Sequence, residues 1–255
     1  MNDYSIKDLD LAGVRWEIAD VPLALRAKWN QESKNTSEPA VNTDNDATRV
    51  MVVPPIAPVA TVSVDTAVSM AARPTDIDNL IRLINEFNHP LRSAVTTTVL
   101  PSIAKNPNGL VVVTDVPGSD DDASGCVLSG GAGELFDKML AAIGMGRDTV
   151  SIIPIIFWRT PGGRTPSESE LSLTRPFVNR LLEFLHPKMI LTLGALPAQE
   201  IANVQLSHAH GKVNDTADGI KVMSIYHPNY LLLKPSAKRD VWTALQELQN
   251  MLKNQ

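Results

Sequence analysis

The chain of 255 residues has only one cysteine, Cys126. A single thiol cannot close an intramolecular disulfide, and it excludes any zinc or iron–sulfur site built on several thiolates. Long apolar runs are also missing, since nothing approaches the roughly eighteen residues that a membrane-spanning helix needs. The opening residues Met1-Asn2-Asp3-Tyr4 lack the basic-then-apolar order of an export signal. The expected compartment is therefore the cytoplasm, with no membrane partner. Positive charge is not in surplus either. The net value of −5 argues against a chain that wraps nucleic acid by bulk charge. The deficit is uneven, because Ser151 to Gln255 carries 11 Lys/Arg against 8 Asp/Glu, or +3, leaving −8 for the preceding 150 residues. A local positive face in the C-terminal part and a mixed solvated surface both fit that balance.

What is present is an apolar content of 44%, enough to build one substantial α/β domain with an extension. Residues 1–30 show loose helical periodicity through Leu9, Leu11, Val14, Trp16, Ile18, Leu23, Leu25 and Trp29, interrupted by Pro22, and predict one or two short helices. Residues 31–73 are rich in Ser, Thr, Asn, Asp, Pro and Ala. The Val52-Val53-Pro54-Pro55-Ile56-Ala57-Pro58 stretch favours extended backbone, so this region reads as a flexible linker or as a strand-like arm. The compact domain is expected over 74–255, where Pro74-Thr75-Asp76 opens a helix with Ile77, Leu80, Ile81, Ile84 and Phe87 on one face.

Four apolar runs follow, at 110–113, 150–156, 189–193 and 222–226. Amphipathic patterns separate them, from Glu134 to Ile143, Ser167 to Leu185 and Leu196 to Asn203, with Ser236 to Leu252 after the last. Continuous apolar strands alternating with such helices predict a three-layer α/β/α sandwich around a central four-stranded parallel sheet. Ligands of these sheets bind beyond the carboxyl ends of the strands, which directs attention to the loops starting at Thr114, Phe157, Gly194 and His227.

The first loop runs Thr114-Asp115-Val116-Pro117-Gly118 and continues through Asp120-Asp121-Asp122 to Ser129-Gly130-Gly131-Ala132-Gly133. Its glycines allow close backbone approach to a flat base or a phosphate, although simple turn chemistry reads the same way. Asp115 stands immediately past a fully apolar strand, where a carboxylate is costly unless paired or used. Asp120 to Asp122 fit a solvated or helix-capping run better than a metal site. The second loop, Phe157-Trp158-Arg159-Thr160-Pro161-Gly162-Gly163-Arg164, is stiffened by proline and carries guanidinium groups at Arg159 and Arg164 suited to a phosphate backbone. The alternative is that Arg159 pairs with an acidic neighbour while Trp158 packs the core. The last loop holds His227, fixed by Pro228 and followed by Asn229, Tyr230 and Leu231-Leu232-Leu233, then Lys234, Lys238 and Arg239. Leucines on a loop tip beside cations suit insertion into a base stack with phosphate clamping.

These loops, in this order, resemble the family-four uracil-DNA glycosylases, whose motifs run Gly-Glu-Ala-Pro-Gly, Gly-x-Pro-Phe-Val-Gly-x-Ala-Gly, Asn-x-x-x-Cys-Arg-Pro-Pro-Gly-Asn-Arg and Tyr-His-Pro-Ser-x-Leu-Leu. The resemblance covers Thr75 to Leu252. It includes Gly130-Gly131-Ala132-Gly133-Glu134-Leu135-Phe136-Asp137 against Gly-x-Ala-Gly-x-Leu-Leu-Asp, and Arg175-Pro176-Phe177 against Cys-Arg-Pro-Tyr. It implies a base-excision repair hydrolase of N-glycosyl bonds that flips uracil out of DNA, works as a monomer and has DNA as its partner. By position, His227 is the donor to uracil O2, and Asp115 takes the place of the catalytic glutamate. Thr114 and the amides of Val116, Pro117 and Gly118 line the pocket, and Asp121 matches a second acidic position. Arg159, Arg164, Asn229, Leu231, Leu232, Lys234, Lys238 and Arg239 fall on the DNA side.

The departures shape that expectation. The base-stacking phenylalanine falls on Leu128, and the asparagine that reads the uracil edge falls on Pro154, which has neither a side-chain amide nor a backbone N–H. The four cluster cysteines are absent, with Trp158 and Thr174 at two of those slots and none in the Phe87 to Val99 segment, so no cofactor is expected and this is an iron–sulfur-free, divergent member. The same departures leave a second reading open: a catalytically weakened paralogue that binds DNA or a protein partner without excising a base.

Overall fold

The computed structural model describes residues 62–93 and 96–253. The expected N-terminal helical segment, 1–30, and most of the 31–73 stretch lie outside the described residues. The first described element is already helical. Helix α1 (Val64–Ala72) is capped by Ser63, whose hydroxyl accepts the N–H of Thr66 at 3.2 Å. Ala67 and Ala71, four residues apart, form its buried edge. Residues 64–72 of the stretch expected as linker are therefore helix. Small residues spaced for close helix packing look like linker composition when read without their period. Helix α2 (Ile77–Glu86) starts where expected, with Asp76 accepting the Asn79 N–H at 2.8 Å and Leu80 and Ile84 buried.

The sheet contains β1 (Leu110–Thr114), β2 (Ser151–Pro154), β3 (Met189–Leu193), β4 (Val213–Asp215) and β5 (Lys221–Ile225), in spatial order β2-β1-β3-β5-β4. The four expected strands are mutually parallel, and β4 adds a short antiparallel edge on β5. Every residue of β1, β2 and β3 is buried. That is why they appear in sequence as continuous apolar runs: helices cover both of their faces.

Helices α3 (Ser119–Ser124), α4 (Gly130–Ala142), α5 (Glu168–Leu185), α6 (Ala195–Ala202), α7 (Leu206–Ala209), α8 (Pro228–Leu233) and α9 (Lys238–Lys253) complete the order. One core layer joins Val112, Leu191 and Met223 of the sheet to Phe136 and Leu140 of α4 and to Val241, Leu245 and Leu248 of α9. The opposite layer joins Val111, Val113 and Ile190 to Leu80 and Ile84 of α2 and to Phe177 and Leu181 of α5. The alternation of strand side chains between the two layers defines the α/β/α sandwich. All four parallel strands end at one edge, where Thr114 is paired in register with Pro154 on one side and Leu193 on the other.

Candidate active site at the carboxyl edge of the sheet

Pro228 at the first position of α8 holds His227 in extended backbone, φ −64° and ψ 144°, as its N-cap. The Nδ1 of His227 accepts the N–H of Asn229 at 3.2 Å. An accepting Nδ1 leaves the ring proton on Nε2, which lies 3.2 Å from the Thr114 hydroxyl. Burial lowers the His227 pKa to about 4. At neutral pH this imidazole is uncharged, with a fixed tautomer and its N–H aimed across the sheet edge at β1.

Asp115 follows Thr114 directly. Burial raises its pKa, and the one opposing contact is the Val116 N–H donated to Oδ1 at 2.8 Å. Among the described residues no cation pairs with it. Its other oxygen faces Gly194, the residue that follows β3 and caps α6 at φ +108°, ψ 173°. That backbone region is essentially reserved for glycine. The structure thus gathers Thr114, Asp115, Gly194 and His227 at the ends of three adjacent strands. Gly194 was singled out in sequence only as a loop start.

Other expected pocket residues are used differently. The Val116 N–H is taken by Asp115, Pro117 has none, and the Gly118 N–H goes to Asp121 Oδ2 at 2.8 Å. The amides expected to face a base are therefore engaged within their own loop. Asp121 also accepts the Ser129 N–H on Oδ1 at 2.6 Å, and Asp122 accepts the Thr97 N–H at 2.8 Å. These two acids tie the loop together, which is the capping role rather than a substrate or metal role.

Leu128 is 3% exposed and belongs to the core layer of Phe136 and Leu231. Its φ of +53° is unusual for a branched residue. Arg147 holds it there, donating to the Val127 carbonyl at 2.9 Å and the Leu128 carbonyl at 2.6 Å while pairing with Asp137 at 2.7 Å. Gly133 leaves room for the same carbonyl, since a Cβ there would stand 1.9 Å from it. Nothing in the sequence marked Arg147 for this work. Pro154 is buried in β2.

On the expected DNA side, the acid pairing considered for Arg159 is made instead by Arg164. Its guanidinium binds both oxygens of Glu170 at 2.5 and 2.8 Å, which holds the Glu170 carboxyl at about 2. Glu170 in turn accepts the Ser167 N–H in the capping box of α5. Arg164 is thus committed to α5, whereas Arg159, half-buried, makes no ion pair among the described residues. The three leucines lie on helix α8 rather than on a loop. Leu231 is 1% exposed and packs in the core, which removes it from the insertion candidates, while Leu232 and Leu233 are 46% and 86% exposed. Helical spacing explains the difference, since residue 231 is one turn past the capping His227. Asn229 is exposed, Lys234 stands over the Tyr230 ring, and Lys238 and Arg239 are exposed at the start of α9 without ion pairs among the described residues.

Behind the second loop, Trp158 is fully buried. Its indole N–H donates to Thr98 at 3.1 Å, and its ring stacks on His89 at 4.7 Å and 8°. Phe87 and Phe157 close around it. His89 is satisfied on both nitrogens, through the Leu91 N–H and the Glu170 carbonyl, and burial lowers its pKa. Thr174 donates to the Ile155 and Leu171 carbonyls. Trp158 and Thr174, the two residues expected at cluster-cysteine positions, are held by aromatic packing and by hydrogen bonds.

Comparison with known proteins gives a consistent result. Residues 101–249, more than half of the chain, match the family described as the uracil DNA glycosylase superfamily. The type-4 uracil-DNA glycosylase of Archaeoglobus fulgidus is 30% identical over 173 residues, covering 64% of this chain and 87% of the relative. That of Pyrobaculum aerophilum is 26% identical over 172 residues, covering 64% and 88%. That of Thermotoga maritima is 31% identical over 126 residues, covering 48% and 66%.

Proposed function

The chain belongs to the uracil-DNA glycosylase superfamily, a family of DNA-repair hydrolases, and from that premise we propose that it cleaves the N-glycosidic bond of a uracil flipped out of DNA. The observation that carries this reading is the neutral His227, with Nδ1 saturated by Asn229 and Nε2–H free to exchange Thr114 for a stronger acceptor. As the bond between C1′ and N1 breaks, its electron pair moves onto the base, and negative charge gathers on O2. A neutral N–H donor in a buried site stabilises that charge, and because its partner is already fixed it costs little reorganisation. The Asp115 carboxylate, unpaired by any cation, meets the developing positive charge on the sugar and takes a proton from the water that adds to C1′. Exposed Leu232 and Leu233 supply the apolar wedge that holds the duplex open, with Arg159, Lys238 and Arg239 on phosphates.

A second reading rests on a specific observation as well. The loop amides of Val116 and Gly118 are engaged internally, and Pro154 offers no donor, so few groups remain to read the uracil edge. Such a protein binds DNA without excising the base. One experiment separates the two: a strand bearing a single uracil is incubated with the protein, treated with alkali and examined for scission, beside Asp115→Asn and His227→Ala. Scission by the wild type that both variants lose supports excision. Tight binding by all three with no scission overturns it in favour of the second reading.

A further inference from the structure

Helices α4 and α9 leave between them a groove of about 210 Å³, floored by Leu231, Val241 and Leu245. Trp242 forms one wall and is 41% exposed, a costly position for an indole that has core apolar surface directly beside it. Lys138 from α4 and Lys238 from α9 line it on its two sides, and neither makes an ion pair among the described residues. Asp137, the acid next to Lys138 in sequence, pairs with Arg147. The groove borders α8: its floor residue Leu231 is one helical turn from His227, and the next two residues of that helix, Leu232 and Leu233, are exposed.

We propose that this groove is a binding site for an unpaired nucleobase of the DNA strand flanking the lesion, stacked on Trp242 and held by Lys138 and Lys238 on the adjoining phosphates. An exposed aromatic face between cations is the composition by which single-stranded nucleic acid is bound without sequence preference. Two ammonium groups on its two sides, without ion pairs among the described residues, favour a polyanion over a neutral apolar occupant. A duplex keeps its bases stacked on one another and cannot offer a free ring face, so the groove favours substrate that is single-stranded, or frayed, beside the uracil. The proposal rests on DNA being the substrate of the site at the sheet edge, but it does not need excision to occur.

The test uses the full chain and uracil-free DNA, so that it reads binding apart from chemistry. Fluorescence anisotropy is recorded for a mixed-sequence single strand and for its blunt duplex, with wild type, Trp242→Phe, Trp242→Leu and Trp242→Ala. Single-strand affinity is expected to fall about tenfold in Trp242→Ala and in Trp242→Leu, to stay within about threefold in Trp242→Phe, and duplex affinity to change little. Lys138→Glu with Lys238→Glu should lower the salt slope of single-strand binding by about two phosphate equivalents. Wild-type affinity in Trp242→Leu shows that apolar bulk suffices, as for a protein partner, and overturns the proposal. Equal losses on single strand and duplex overturn it too. If binding depends on Trp242 while the uracil strand is never cut, the groove assignment stands and the excision reading alone falls. If the uracil strand is cut while Trp242 proves indifferent, the reverse holds.

Discussion

A Cβ on Gly194 would stand 2.7 Å from Oδ2 of Asp115, and a real Cβ cannot come that close to an oxygen. The carboxylate therefore occupies its place because the residue that follows β3 has no side chain, at a φ of +108°. Gly194→Ala is expected to push the carboxylate off its position and to slow uracil excision tenfold or more, since displacements near an ångström at reacting groups have effects of that order. It should also destabilise the fold by about 1–3 kcal/mol from backbone strain alone. Single-turnover rates beside urea denaturation read the two effects separately. An alanine variant that excises at the wild-type rate would remove Asp115 from the chemistry.

The lowered pKa of His227 makes a signed prediction for stability. An unfolded histidine binds its proton near the ordinary value of 6.5, while the folded His227 binds one only at about 4. Between those values the unfolded state holds more protons, so stability falls as pH drops through that window. A difference of 2.5 units corresponds to about 3 kcal/mol as an upper figure. His89 and His210 are lowered by burial as well and act in the same direction. The His227 share is isolated by the difference between wild type and His227→Gln, measured by denaturant unfolding at neutral pH and near pH 4.5. The glutamine variant should lose markedly less stability on acidification. Parallel losses would mean that His227 is more solvated than its packing indicates.

Much of the scaffold was legible because burial on both faces writes itself as an unbroken apolar run. β1 and β3 could hardly read otherwise. β4 could not be seen: it has three half-exposed or exposed residues at the sheet edge, paired to one neighbour. The placement of His227 and Asp115 past strand ends followed from the sheet type. The occupation of the loop amides by Asp115 and Asp121 did not, because a carboxylate one to three residues from an amide reads equally as a cap, a ligand or a solvated charge. Likewise the pairing of Arg164 with Glu170 depends on a turn through Pro161–Gly163 whose course no spacing reveals.

Trp158 makes a second case for reading a substitution through its neighbours. It is fully buried against His89, Phe87 and Phe157, and its N–H is satisfied by Thr98. Trp158→Ala should cost about 3–5 kcal/mol as a large core cavity opens. Thr98→Val, which keeps the volume and removes the acceptor, should cost about 1–3 kcal/mol by leaving a buried donor unsatisfied. Urea midpoints for both variants check this. A mild effect of Trp158→Ala would show that the packing of Phe87, His89 and Phe157 is not held up by the indole.

The two arginines of the second loop should separate cleanly by salt dependence. Arg159 has no acid partner among the described residues, so Arg159→Ala is expected to reduce the slope of log affinity against log salt by about 0.9, one phosphate contact. Arg164 is spent on Glu170, so Arg164→Ala should leave that slope unchanged. Its effect should appear as a rise of the Glu170 carboxyl from about 2 toward its ordinary 4.5. Stability that Glu170 confers is present above that ordinary value and disappears as pH falls toward 2, and this acid-side dependence should shrink in the variant. Equal changes of slope in both variants would contradict the pairing.

The leucines of α8 should divide in the same manner between folding and function. Leu231, 1% exposed, belongs to the layer of Phe136 and Val241, and Leu231→Ala should cost about 2–5 kcal/mol of stability. Leu233, 86% exposed, has almost no core contact to lose, so Leu233→Ala should leave the unfolding midpoint within the spread of ordinary surface changes, about 0.5 kcal/mol. Its cost should fall on excision from duplex DNA, where a base must be forced out of its stack, and much less on single strands, where no stack is broken. Excision rates on the two substrates, each relative to wild type, give the ratio directly. If Leu233→Ala slows both equally, the projecting tip is not a wedge, and the exposure of two leucines beside three cations needs another partner to explain it.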